Sequence, residues 1–259
     1  MIESMNTKHV MNLGLAIMLM MSIVACKSKK VTQKPDPELP TELAAAYRED
    51  AARLAVREYN TTSQTGEQVA TIPQDRIDYF YGLLSKAYWL YSKSDSIPDL
   101  SGIHTQKSPN LRQINVVLQK DSPFKENWSK GVTLTNNLYL NQLIAKYKIS
   151  IKNYRESTLG PSLTMEAGYN VNTKELGFMV KNFETIRSAE PQAPIGDGND
   201  ITYGTDSKNA TSLKFSIGEG DCPSGCINRK FWIFDIMTDG KVVYMGTRGK
   251  IPAGSEPPK

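Results

Sequence analysis

Histidine is nearly absent. The 259-residue chain has two, His9 and His104, and only His104 lies outside the apolar leader described below. A His-dependent triad or a zinc site would have to be built on that one side chain, with no second histidine to share the work. Gly102-Ile103-His104-Thr105 reads instead as a loop or strand edge, with the imidazole bonded to backbone. Cysteine is scarce too, with three in all: Cys26, Cys222 and Cys226. Charge of one sign is missing: 31 Lys and Arg face 27 Asp and Glu, a net +4. Dispersed over the chain, that excess is too weak to argue for nucleic acid. After residue 26 no run is apolar enough to span a bilayer, and no internal repeat is visible. Ser162, in Gly160-Pro161-Ser162, and Ser224, between two cysteines, lack the Gly-x-Ser-x-Gly setting of a nucleophile elbow. No catalytic residue, metal ligand or cofactor site is assigned from these patterns.

What is present begins at the N-terminus. Lys8 and His9 precede an apolar run from Val10 to Ala25, interrupted by Asn12, Gly14 and Ser22. Sixteen residues are short for a membrane-spanning helix but suit the apolar core of a secretion signal. The ending Ile23-Val24-Ala25-Cys26 resembles a lipobox. That resemblance implies cleavage before Cys26, a diacylated Cys26 thiol and an acylated new amine. Several acyl chains meet the requirement for stable anchoring. Removing residues 1–25 takes away Lys8 and Glu3, one charge of each sign, and the net charge is unchanged. The Lys27-Ser28-Lys29-Lys30 cluster beside the lipid reads either as an aid to membrane seating or as the solvated start of a tether. The expected address is the cell envelope: lipid-anchored, at the outer membrane and facing the periplasm, because Lys-Ser-Lys-Lys follows Cys26 directly and the acids of the 26–40 stretch appear only at Asp36 and Glu38.

Residues 26–40 are polar and proline-bearing and read as a lipidated tether. Residues 249–259 read as a flexible tail. The interval 41–248 is long enough for one α+β domain, or for a helical part (41–100) and a β-rich part (101–248). Within it Thr41 opens a helix running to about Glu58 on strong helix formers, with Leu43, Tyr47, Ala51 and Leu54 on one face. Thr71-Ile72-Pro73-Gln74 has the form of a capping box with proline in the first turn. The stripe Ile77, Phe80, Tyr81, Leu84, Ala87, Tyr88, Tyr91 then predicts a core helix, with Leu83 and Trp89 outside the stripe.

Further on, 111–118 reads as a strand, 134–146 as a helix, and Tyr147, Ile149 and Ile151 as alternating strand positions. Leu163–Tyr169 and Leu176–Val180 read as two strands joined by a polar turn at Asn170–Lys174. Leu213, Phe215 and Ile217 mark a later strand. The last hairpin is Phe231–Met237, then Thr238-Asp239-Gly240, then Val242–Met245, with Asp-Gly supplying the positive φ angles of a two-residue turn. Both alternating faces of Phe231–Ile236 are apolar, which predicts a central strand covered on both sides. Two or three helices on a mainly antiparallel sheet is the expected α+β architecture.

DAARLAVREYN (50–60), IPQDRIDYFYGLLSKAY (72–88) and GEGDCPSGCINRKFWIFDI (218–236) together resemble a family of uncharacterised secreted proteins and lipoproteins of the Bacteroidota. In that family a Gly-Asp-Cys-Pro-Ser-Gly-Cys element precedes an aromatic strand. The resemblance carries no activity and no catalytic residue.

Cys222 and Cys226 form an even pair in an oxidising compartment, the condition for a disulfide. Their spacing is one residue longer than a thioredoxin-like redox motif, and strands rather than a helix N-terminus flank them. Gly196-Asp197-Gly198-Asn199-Asp200 offers three oxygen-bearing side chains but no distal glutamate, so it reads as a turn rather than a calcium site. Glu219 and Asp221 form an acidic pair of low specificity. The favoured expectation is a non-enzymatic envelope module that binds an envelope protein or glycan. The alternatives are a hydrolase using acidic residues and a calcium-dependent adhesion module.

Overall fold

The computed structural model describes residues 38–62, 70–106, 109–192, 198–205, 210–222, 224–255 and 257. Cys26 and the leader lie outside the described residues. The fold is α+β, as expected; among the described residues it has five helices, more than the two or three expected, and two four-stranded antiparallel sheets.

Helix α1 (Thr41–Thr62) starts where Ala44 N–H donates to Pro40 O at 2.8 Å. Helix α2 (Gln74–Tyr91) runs back along it. Arg76 on α2 clamps Glu58 with two hydrogen bonds of 2.8 and 2.6 Å, and at the other end Tyr47 OH meets Tyr91 OH at 2.8 Å. The expected capping box does not form. Pro73 occupies the cap position with no side-chain bond, and Thr71 is drawn into a β-bridge with Val171. Leu83, placed outside the stripe by its spacing, is buried, while Ile77, Tyr81 and Tyr88 are only half-buried. Two different neighbours press on α2, α1 and a sheet, and the covered face shifts accordingly.

That sheet comes from the far end of the chain: β5 (Asp200–Thr205), β6 (Thr211–Glu219), β7 (Asn228–Ile236) and β8 (Val242–Lys250), in that spatial order. Leu213 pairs with Phe234 and Phe215 with Trp232. These side chains, with Ile201 and Val242, meet Tyr47, Phe80, Leu84 and Tyr91 in one core. Strand β7 is interior to the sheet, as expected, but its two faces are covered unequally: Trp232 and Phe234 are buried, Phe231 and Ile233 half-buried. The connecting turn has three residues, Thr238-Asp239-Gly240, with Met237 N–H donating to Lys241 O at 2.8 Å. Gly240 alone supplies its positive φ (+77°). Strand β8 continues to Lys250, so Gly249 and Lys250 pair with β7 rather than belonging to a tail.

Between these elements the chain builds a second core. The order is β1 (Gln113–Leu118), α3 (Lys125–Ser129), α4 (Leu138–Tyr147), β2 (Ser150–Arg155), β3 (Ser162–Glu166), α5 (Thr173–Lys181) and β4 (Ile186–Pro191). With sheet order β2-β3-β1-β4, all antiparallel, this is the β-α-β-β-α-β split arrangement called ferredoxin-like. Ile114, Val116, Leu163 and Met165 turn inward onto Trp128, Leu140, Tyr147, Leu176 and Val180. The segment read as strand Leu176–Val180 is helix α5. Asn172 caps it by accepting from Lys174 N–H at 3.2 Å, Glu175 sits in its first turn and Lys181 in its last, all favourable to the dipole. Thr173, Leu176, Gly177 and Val180 are the buried face, and Phe178 is exposed. Strands β4 and β5 and helix α3 were not anticipated. Asn172 Nδ2 to Asn60 (3.0 Å) and Asn170 Nδ2 to Glu49 (2.7 Å) tie this lobe to α1.

Candidate ligand cleft

At the end of the helical pair where α1 begins and α2 ends lies an open cleft of about 980 Å³. Its walls are Pro40, Glu42, Leu43 and Ala46 from the start of α1, Tyr88, Tyr91 and Ser92 from the end of α2, and Ser94, Asp95, Ile97, Asp99, Ser101, Gly102 and His104 from the segment after it. Each wall residue is placed by a local rule. Strong helix formers after Pro40 begin α1 and set Glu42 on the rim. Leu100 O accepts from Ile103 N–H at 3.0 Å, and buried Ile97, Leu100 and Ile103 pin the loop to the first core.

His104 is held by a side chain and not, as the sequence suggested, by backbone. Its Nδ1 lies 2.8 Å from Asp50 Oδ2, and its side chain is 42% exposed. Asp50 is buried in the middle of α1, and its other oxygen accepts from Thr105 N–H at 2.8 Å and Thr105 Oγ1 at 2.7 Å. The hydrogen bond from His104 to this carboxylate raises the imidazole pKa above its ordinary value, against a smaller opposing effect of burial. Asp50 as acceptor fixes the tautomer with the proton on Nδ1, which makes Nε2 the basic nitrogen of the neutral ring. Burial pushes the hydroxyl pKa values of Tyr91, in the cleft wall, and of its partner Tyr47 far upward, so both stay neutral. Among the described residues no serine, threonine or cysteine hydroxyl or thiol hydrogen-bonds to His104.

No family model, curated protein or solved structure matches the chain.

The other sequence candidates lie elsewhere. Cys222 and Cys226 are joined, closing the connection between β6 and β7. Glu219 pairs with Asn228 at the base of that connection, Asp221 and Ser224 are exposed on it, and none of them lines the cleft. Ser162 is half-buried on β3. Gly196 and Asp197 fall outside the described residues. Asp200 is committed to protein: Arg57 Nη1 donates to it at 2.9 and 3.2 Å and Gln106 N–H at 2.7 Å. Among the described residues no three His, Cys, Asp or Glu side chains gather as a metal site.

Sequence reasoning missed Asp50. The available signal was its place on the apolar face of α1, at the spacing of Leu43, Tyr47 and Leu54. An acid at such a position demands buried donors, and His104 and Thr105 are those donors.

Proposed function

We propose that this protein is a lipid-anchored cell-envelope module, attached through Cys26, that binds an envelope glycan or protein segment in the cleft beside His104. The observation that carries the binding reading is the division of carboxylates. Those on the cleft, Glu42, Asp95 and Asp99, are exposed on its rim. The buried one, Asp50, already accepts three hydrogen bonds. A carboxylate that acts on a bound ligand must be free to reach it, and Asp50 is already spent on His104 and Thr105. Serine hydroxyls, exposed carboxylates and the flank of Tyr88 offer instead what a polyhydroxyl or polar peptide ligand takes up: hydrogen bonds around an apolar contact. We place the module at the outer membrane, facing the periplasm; digestion by protease added to intact cells would reverse that orientation.

A photo-crosslinking residue introduced at Asp95 in the lipidated protein, in its own cells, tests the cleft. Adducts should form there and not from the same residue at Asp121 on the other lobe. Equal adducts at both positions, or none at Asp95, would refute the assignment. The His104–Asp50 pair favours a second reading, a hydrolytic cleft in which Nε2 takes a proton from bound water. His104→Gln would then abolish turnover while leaving crosslinking intact.

A further inference from the structure

The chain from Lys130 to Lys148 exposes large apolar side chains on a segment held in place by backbone and side-chain hydrogen bonds. Val132 is 47% exposed, Leu134 65%, Leu138 67% and Tyr139 75%. They are not on a loose loop. Val132 N–H donates to Asn127 O at 2.9 Å and Asn127 Nδ2 to Leu134 O at 3.1 Å. Thr135 N–H and Oγ1 both donate to Asn141 Oδ1 at 2.8 Å, and Asn141 Nδ2 returns a bond to Thr135 O at 2.8 Å. Asn137 caps α4 through Leu140 N–H at 3.1 Å. The inward side of α4 is spent on the second core, through Leu140, Ile144 and Tyr147. Its first turn therefore shows apolar side chains outward as well, where a helix that faces only water would carry charge. A shallow groove of about 420 Å³, lined by Leu134, Ala145 and Lys148 among others, continues the patch.

Charge says what covers it. Between residues 120 and 148 stand Lys120, Lys125, Lys130, Lys146 and Lys148 against only Asp121 and Glu126, and Glu126 is paired with Lys130 at 2.9 Å. No acid occupies the first turn of α4. Outward leucine, valine and tyrosine in a lysine-rich stretch of chain match a bilayer interface. The apolar groups enter the acyl boundary, and the ammonium groups meet anionic headgroups. We propose that Val132, Leu134, Leu138 and Tyr139, with Lys130 and Lys148, form a face that rests on anionic lipid. This rests on the reading of Cys26 as the lipid anchor, which brings a bilayer within reach: residues 27–40, even fully extended, span at most about 50 Å.

The test uses the mature chain from residue 26 with Cys26→Ser, so that no acyl chain contributes, sedimented with vesicles of phosphatidylethanolamine plus phosphatidylglycerol. The protein should pellet at low salt and be released by added salt. Vesicles with phosphatidylcholine in place of phosphatidylglycerol should retain little. Leu138→Asp with Tyr139→Asp should weaken binding by about tenfold or more with an unchanged melting temperature, because both side chains are largely exposed. Lys130→Glu with Lys148→Glu, both at exposed positions, should weaken it as well. Substituting Lys27, Lys29 and Lys30 by Gln should leave both effects in place. Failure to pellet with phosphatidylglycerol vesicles, or pelleting indifferent to both double changes, would overturn the proposal. So would self-association that the Leu138/Tyr139 change abolishes without any vesicle binding, which would give the face to a second copy. An error about the anchor would appear in acyl labelling of the unaltered precursor and leave this measurement untouched.

Discussion

Replacing Asp50 by alanine should cost far more than helix propensity alone would suggest. The carboxylate is buried and receives three hydrogen bonds of 2.7–2.8 Å from His104 and Thr105. Asp50→Ala leaves the buried Thr105 amide and hydroxyl without an acceptor, at about 1–3 kcal/mol for each unsatisfied group. Alanine recovers about 0.5 kcal/mol in helix propensity. The expected net loss is about 3–4 kcal/mol, a large part of the stability of an ordinary domain. His104→Ala removes only one charge-assisted bond from a side chain that is 42% exposed, so about 1 kcal/mol is expected after solvent screening. The two losses should not add, because they share one bond. The sign of the pH dependence follows from the raised imidazole pKa. Its stabilising contribution is complete below the unfolded value, about 6.5, and fades as pH rises through the folded value. Urea unfolding of wild type, both single variants and the double variant, at about pH 5 and about pH 8.5, measures all of this. The His104→Ala penalty should be larger at the lower pH. An Asp50→Ala variant within about 1 kcal/mol of wild type, or a His104 penalty that grows with pH, would refute the reasoning.

Changing Cys222 and Cys226 together to Ser should lower stability by about 2 kcal/mol or less, since the closed loop is small; mass spectrometry of the non-reduced protein should show the two thiols lost to a bond. Asp200→Ala should destabilise by about 2 kcal/mol through loss of the Arg57 and Gln106 bonds, and by the same amount with or without calcium. A calcium-dependent melting shift that this change removes would restore a metal role to the 196–200 segment. Gly160 has φ +121°, and a Cβ there would collide with Leu118 O, so Gly160→Ala should cost about 3 kcal/mol or block folding, read by circular dichroism. Cys26→Ser should abolish palmitate incorporation, and persistent labelling would remove the anchor assignment.

Features readable in the sequence were those settled within a few residues. Strong helix formers after Pro40 began α1, the alternation of Leu213, Phe215 and Ile217 made a strand, and Asp239-Gly240 marked a turn. Cys222 and Cys226 lie close enough along the chain to meet whatever the rest does. Short apolar spacings were less decisive. Leu176, Phe178 and Val180 alternate like a strand, yet Leu176 and Val180 are also one helical turn apart, and Asn172 with Glu175 supplied the cap and charge that made the helix. Partnership across long separations was not readable at all. The helices at 41–91 cover the sheet at 200–250, while the 113–191 lobe between them keeps its own core. Neither division at residue 100 nor a single layered sheet anticipates that arrangement. Asp50 and His104 stand 54 residues apart in sequence, and nothing local to either names the other. Hydrogen-bond geometry and backbone propensity act over a few residues and leave their pattern in the sequence. Burial is decided by whichever surface the folded chain brings opposite, and only the tertiary structure specifies that surface.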